Sequence, residues 1–219
     1  LGDAPAALDH AVAAVELLDA AATPRERGNH LLCLADALAS LGNTDDARRR
    51  YRQAAGQFEA AGDRERLLNL LNNETVLEYE SGNIHRAVAA ADRLEVTAGE
   101  DMCSDFADTI AHARLVAGDL AAAENAARWA VRLVEEQGES KLSAAAEHAL
   151  TLAEVLLARG SLDECLEQLD RCLALCDERG LQGLRVATLG LRSELFAARG
   201  GYEFAYHAHR AFHAESVAL

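Results

Sequence analysis

The sequence predicts an all-α fold built as a row of helical hairpins, each stacked on the next. Three observations predict it. The first is a glycine-marked turn that recurs at Gly42, Gly82, Gly118, Gly160 and Gly200, at intervals of 40, 36, 42 and 40 residues. A fixed period of this size is the mark of a repeat array in which each unit is one pair of helices. The second is the apolar spacing between the marks: Leu31, Leu34, Ala35 and Leu38 precede Gly42 at i, i+3, i+4 and i+7, one face of a helix. The third is composition. Leu and Ala, both strong helix formers, dominate, and Pro5 and Pro24 are the only prolines.

Taken in order, residues 4–21 read as a helix closed by Pro24, the second half of an incomplete leading repeat spanning 1–24. Five hairpins follow, at 25–62, 63–98, 102–138, 140–180 and 181–217, for about eleven helices in a single array over 1–219. Each glycine stands where a first helix must stop, the position that favours a left-handed cap. The polar residue after it in the first four copies (Asn43, Asn83, Asp119, Ser161) is expected to start the next helix by accepting free backbone N–H groups. Each copy then places a small residue five positions beyond its glycine: Ala47, Ala87, Ala123, Cys165 and Ala205.

Ala47, Tyr51 and Ala54 in one second helix, and Phe196, Tyr202 and Ala205 around the last turn, form a pattern that resembles the tetratricopeptide (TPR) repeat. The resemblance covers about residues 25–217. The chain departs from that consensus in its period, nearer 40 than roughly 34 residues, and in placing Ala35, Thr75, Ala111, Ala153 and Ser193 where glycine follows the first-helix leucine. Glu74 and Arg192 stand where leucine is expected. The resemblance implies a right-handed superhelical solenoid whose first helices line a concave groove. The inward positions it assigns are Asn29, Asp36, Asn69, Asn72, Asn73, Tyr79, Asp105, Asp108, His112, Glu147, Glu154 and Glu194. The asparagines can each donate and accept, and so could hold a peptide backbone. The acids would favour Lys or Arg on a ligand. None of these positions is basic, which argues against the subclass that clamps a C-terminal carboxylate.

Charge narrows the partner. The net charge is −15, from 21 basic and 36 acidic residues, which argues against a nucleic-acid surface and an anionic membrane surface; no nucleic-acid or membrane partner is expected. A protein or peptide with basic residues is the expected partner, and pairing of two copies is possible for an array with exposed ends. No apolar run reaches membrane-spanning length, and no signal peptide is expected. Five cysteines without CxxC spacing (Cys33, Cys103, Cys165, Cys172, Cys176) fit a reducing, cytoplasmic setting.

Several constellations invite catalysis and are set aside. Gly200-Gly201-Tyr202-Glu203-Phe204 is one residue from the GG[DE]EF signature of diguanylate cyclases, but it falls in register with four other inter-helix turns. Cys165, Cys172 and Cys176 share one helix face, where free cysteine behaves as a small hydrophobe. His207, His209 and His213 crowd the last helix without a convergent carboxylate. Trp129 lies two residues past the expected aromatic position, facing away from the hairpin core. We expect no catalytic residue, metal or cofactor within these residues.

The stretch Leu191–Phe196, with Gly201-Tyr202 and the segment Tyr206–Glu215, is similar to the last repeat of bacterial signalling proteins that carry such repeats ahead of a GGDEF diguanylate cyclase domain. That resemblance implies a sensory or scaffolding module in a larger cytoplasmic regulator. The alternative is the peptide-sensing repeat region of a bacterial transcription regulator. The chain opens on Leu1 and not on methionine, so further domains are expected outside it.

Overall fold

The computed structural model describes residues 4–17, 21–136 and 142–217. Among them are eleven α-helices, one 3₁₀ turn and no strand. The helices fall in two compact units, residues 1–99 and 100–219. The first unit holds α1 (Ala4–Glu16), α2 (Pro24–Ser40), α3 (Thr44–Ala61), α4 (Arg64–Glu80) and α5 (Ile84–Ala98). The second holds α6 (Ser104–Val116), α7 (Leu120–Glu136), α8 (Leu142–Arg159), α9 (Leu162–Arg179), α10 (Gln182–Ala198) and α11 (Tyr202–Ser216). The turn Gly99–Asp101 follows α5. The expected boundary between the third and fourth hairpins, at 138–140, lies outside the described residues.

In the first unit α2 packs on α3 and α4 on α5, and the pairs join through α3–α4 and α2–α4. The second unit repeats the scheme with α6–α7, α8–α9 and α10–α11, joined through α7–α8 and α9–α10, with first helices touching at α6–α8 and α8–α10. The small residue of each copy is why the helices approach so closely. Ala47, Ala87, Ala123 and Cys165 are fully buried, while larger side chains such as Phe58, Leu94, Val134 and Leu169 fill the space between. Gly28 shows how tight the fit is: a Cβ there would lie 2.6 Å from the ring of Phe58.

All five marked glycines adopt φ between 73° and 77°, a region that costs a side-chain-bearing residue energy. Each carries the same closure. Asn43 N–H donates to the Leu38 carbonyl at 2.9 Å, and Asn83, Asp119, Ser161 and Gly201 donate to the carbonyls of Glu78, Arg114, Leu156 and Phe196 at 2.9–3.0 Å. This is the Schellman arrangement, which satisfies carbonyls that the helix end leaves open. Gly62 and Gly180 end α3 and α9 in the same left-handed conformation.

The expected capping of the second helices is corrected by the structure. Of the four polar residues, Asp119 caps, accepting from Ala122 N–H at 3.1 Å. Asn43, Asn83 and Ser161 make no such bond. The Asn43 amide turns instead to Asp46, and that of Asn83 to Ser81. Two first helices are capped as well: Thr23 and Glu26 make a reciprocal capping box, and Asp63 accepts from Arg66 N–H.

Candidate ligand-binding faces

The twelve residues expected to line a groove divide between the two units, and each unit is described alone. In the first, Asp36 on α2 is the hub. The Tyr51 hydroxyl on α3 donates to its Oδ1 at 2.6 Å, and the Asn73 amide on α4 donates to the same oxygen at 3.1 Å. Burial and the bond to Asp36 push the Tyr51 phenol well above its ordinary pKa, so it stays a donor. These three residues line a pocket of about 240 Å³ together with Val76 and Glu80. Asn69 is exposed, Asn72 and Tyr79 are half-buried on α4, and Asn29 is half-buried on α2. The side-chain carbonyls of Asn29 and Asn72 are buried without a hydrogen-bond partner. Asn73 is thus tied to Asp36, whereas Asn69 is open to solvent.

In the second unit α6 and α8 bring Asp105, Asp108, His112 and Glu154 together around a residue that sequence reasoning missed, His148. Its side chain is 2 % exposed. Its Nδ1 lies 3.2 Å from Asp108 and its Nε2 3.5 Å from Asp105. Neither contact is aligned as a hydrogen bond, so the attraction is one of charge. Burial by itself pulls the His148 pKa down, but contacts to the two carboxylates outweigh it and raise the pKa to about 9. His148 is therefore an imidazolium at neutral pH. His112 Nε2 stands 3.1 Å from the Thr151 hydroxyl and 3.7 Å from Asp108, and its Nδ1 is 4.0 Å from Glu154. Burial raises the Glu154 carboxyl, opposed by His112 and reinforced by Asp108 and Glu194. Glu147 on α8 and Glu194 on α10 are exposed.

The signal for His148 was in the sequence. Asp105, Asp108 and His112 recur at helical spacing (i, i+3, i+7) on α6, and His148, Thr151 and Glu154 recur at i, i+3 and i+6 on α8. Its neighbour Glu147 drew attention because it is acidic, while a histidine among alanines and leucines reads as core.

The remaining constellations resolve locally. Cys165 donates to the Ala153 carbonyl at 3.3 Å and Cys172 to that of Ala146 at 3.2 Å, with Thr188 Oγ1 3.1 Å away. Burial pushes the thiols up, to about 11 at Cys165 and about 12 at Cys176, the reverse of what a nucleophile or metal ligand needs. His207, His209 and His213 are exposed on α11. Arg192 pairs with Asp170 at 3.1 Å and lies over the Phe196 ring. Trp129 is half-buried. No helix among the described residues is long and apolar enough to cross a membrane, and no group of three or more His, Cys, Asp or Glu there could hold a metal.

Known structures share this architecture. BtubC (BKLC) from P. vanneervenii superposes with a TM-score of 0.80 at 15 % identity, over 100 % of this chain and 92 % of that one. The fold is that of TPR-like helical repeat proteins. A putative kinesin light chain from Podosopora anserina with nearly identical TPR-like repeats gives 0.71 at 16 % identity, over 88 % and 96 %. A Rap protein complexed with Competence and Sporulation Factor gives 0.66 at 16 % identity, over 98 % and 70 %. No protein-family model matches the chain, and neither does any curated protein.

Proposed function

We propose that this chain is a protein- or peptide-binding module whose ligand carries basic residues, held along the first-helix side of α6, α8 and α10. The observation that carries this reading is the band Asp105, Asp108, Glu147, Glu154 and Glu194. It outnumbers the bases set among it, His112 and His148, and His148 is already spent on two of the acids. What remains, Glu147 and Glu194 above all, is exposed carboxylate able to meet Lys or Arg side chains. The Asp36–Tyr51–Asn73 pocket of the first unit offers a second polar seat, one suited to a peptide amide. The chemistry is binding and not catalysis: the buried thiols are held protonated, and His148 carries its proton where a general base needs to lack one. The likeness to a Rap protein solved with its factor supports ligand capture by this type of fold.

As a module it would serve as the sensory or scaffolding part of a larger bacterial signalling protein. The similarity of the last hairpin to repeats that precede diguanylate cyclase domains supports that placement. Ligand binding would then act by shifting the population of states in which the output domain is presented.

The test is selection from a random peptide display library, repeated on a Glu147→Arg, Glu194→Arg variant. Both side chains are exposed, so the variant folds. Enrichment of Lys- and Arg-rich peptides, with affinity that falls at least tenfold in the variant and weakens with salt, is the expected result. Enrichment of acidic or purely apolar peptides, or equal binding by the variant, would overturn the reading.

A further inference from the structure

The first unit carries a second recess, on the side of its second helices, that the reading above does not use. It has a volume of about 540 Å³, is floored by Glu74 and Glu78 of α4, and is walled by α3 and α5. Five arginines line it (Arg48, Arg49, Arg52, Arg86, Arg93) against three acids (Asp45, Glu74, Glu78). In a chain of net charge −15 the lining itself carries two more positive than negative charges, offset from outside the recess by Asp46 and Glu59.

The pairing shows where the surplus sits. Arg48 is buried and grips Glu78 with two nitrogens, at 2.5 and 2.9 Å, and also reaches Asp45. Arg49 pairs with Asp46, and Arg93 with Glu59 at 3.4 Å and Glu74 at 3.7 Å. Arg52 and Arg86 are left over. Arg52 donates to the Arg48 backbone carbonyl at 3.4 Å, and Arg86 has no ion pair among the described residues.

The repeat explains why. Arg52 and Arg128 both stand five residues past the small residue of their helices, Ala47 and Ala123. Arg86 and Glu164 both stand one residue before it, ahead of Ala87 and Cys165. Between α7 and α9 these positions meet as an ion pair, Arg128 to Glu164 at 2.5 Å, and the network is closed by Glu124 with Arg128 and Arg159. Between α3 and α5 the acid of that pair has become Arg86. Two guanidiniums therefore line one recess, at positions equivalent to those that pair between α7 and α9. Arg86 also sits in the first turn of α5, which holds no acid, whereas α3 and α9 begin with Asp45, Asp46, Asp163 and Glu164. A cation there opposes the helix dipole, and an anion between the two arginines would relieve both conflicts.

We infer that Arg52 and Arg86 receive a phosphoryl group, carried by a small molecule or by a modified side chain. Guanidinium pairs match phosphate oxygens in fork geometry, and two guanidiniums without an ion pair match a phosphate monoester, which is close to a dianion at neutral pH. No aromatic side chain lines the recess, so it offers no platform for a nucleobase.

Calorimetric titration at pH 7.5 and constant ionic strength tests this, with inorganic phosphate, a phosphoserine peptide and glutarate as probes. The variants are Arg52→Ala and Arg86→Glu, the second recreating the ion pair seen between α7 and α9 and so protecting the fold. Saturable phosphate or phosphoserine binding in the native chain, weakened at least tenfold by either variant, is expected. Tighter binding of phosphoserine would assign the group to a partner's side chain, and binding of phosphate at least as tight would assign it to a free anion. Absence of saturable binding, equal binding in Arg86→Glu, or glutarate binding as tightly as phosphate would overturn the assignment. None of these outcomes bears on the peptide-binding reading, which rests on the other unit.

Discussion

His148 should make the second unit lose stability as the solution turns mildly alkaline. Its pKa rises from 6.5 to about 9 on folding, so the folded state binds a proton that the unfolded state has released. The contribution is complete below about pH 6.5 and is lost as pH climbs through about 9. A shift of this size corresponds to about 3 kcal/mol. Asp105 is half-exposed and its share is screened, which leaves about 2 kcal/mol. The assay is urea denaturation at several pH values from 6 to 9, following the fluorescence of Trp129, the single tryptophan, which lies on α7 within this unit. The buried thiols oppose folding as pH approaches and passes about 8.5, where cysteines of the unfolded chain ionise, and this is common to native and variant chains. Burial of Glu154 adds its own pH dependence, which is common to native and variant chains and cancels in the comparison. His148→Gln should be less stable at pH 6 and should lose the slope between pH 6.5 and 9. An identical slope in the two chains would refute the charged-pair assignment.

Three further outcomes follow from the packing. Gly42→Ala meets no atom within 4 Å but must hold φ at +73°, so it should destabilise by about 1 kcal/mol, whereas Gly56→Ala, in open space within α3, should stabilise by up to about 1 kcal/mol; thermal melts compare the two. Gly28→Ala would drive a methyl group into the Phe58 ring and should cost about 1–3 kcal/mol, restored in part by Phe58→Leu. Thiol labelling at pH 8 should modify the exposed Cys33 quickly and Cys165, Cys172 and Cys176 only after denaturant is added, since these three are buried and held protonated; fast reaction of four or five thiols would contradict the core placement.

The hairpin pattern was legible because it is written in local terms. Helical apolar spacing, a glycine at each left-handed turn and a small residue at a fixed offset are all short-range features, and the folded chain shows each of them. The capping roles were misread for a reason equally local. Asn43 and Asn83 sit where a cap belongs, but other polar groups, Asp46 and Ser81, compete for their amides. Glu74 and Arg192 looked like faults in a leucine position, yet both turn to charged neighbours, Arg93 and Asp170.

The candidate faces were legible in part. The resemblance to TPR repeats named the helices expected to share a face, and so Asp36 and Asn73, or Asp108 and His112, were singled out; each pair does lie together. The sequence did not say that Tyr51 would reach Asp36, or that His148 would be buried against Asp105 and Asp108. Sequence alone determined the class of fold, the turn positions and the acidic balance of the chain, because helix periodicity and glycine's backbone freedom act within a few residues. Only tertiary structure decided which charges cancel and which stay free. Arg128 finds Glu164, while Arg52 and Arg86 line one recess without an ion pair, and such pairing depends on which side chains two helices from different repeats bring face to face.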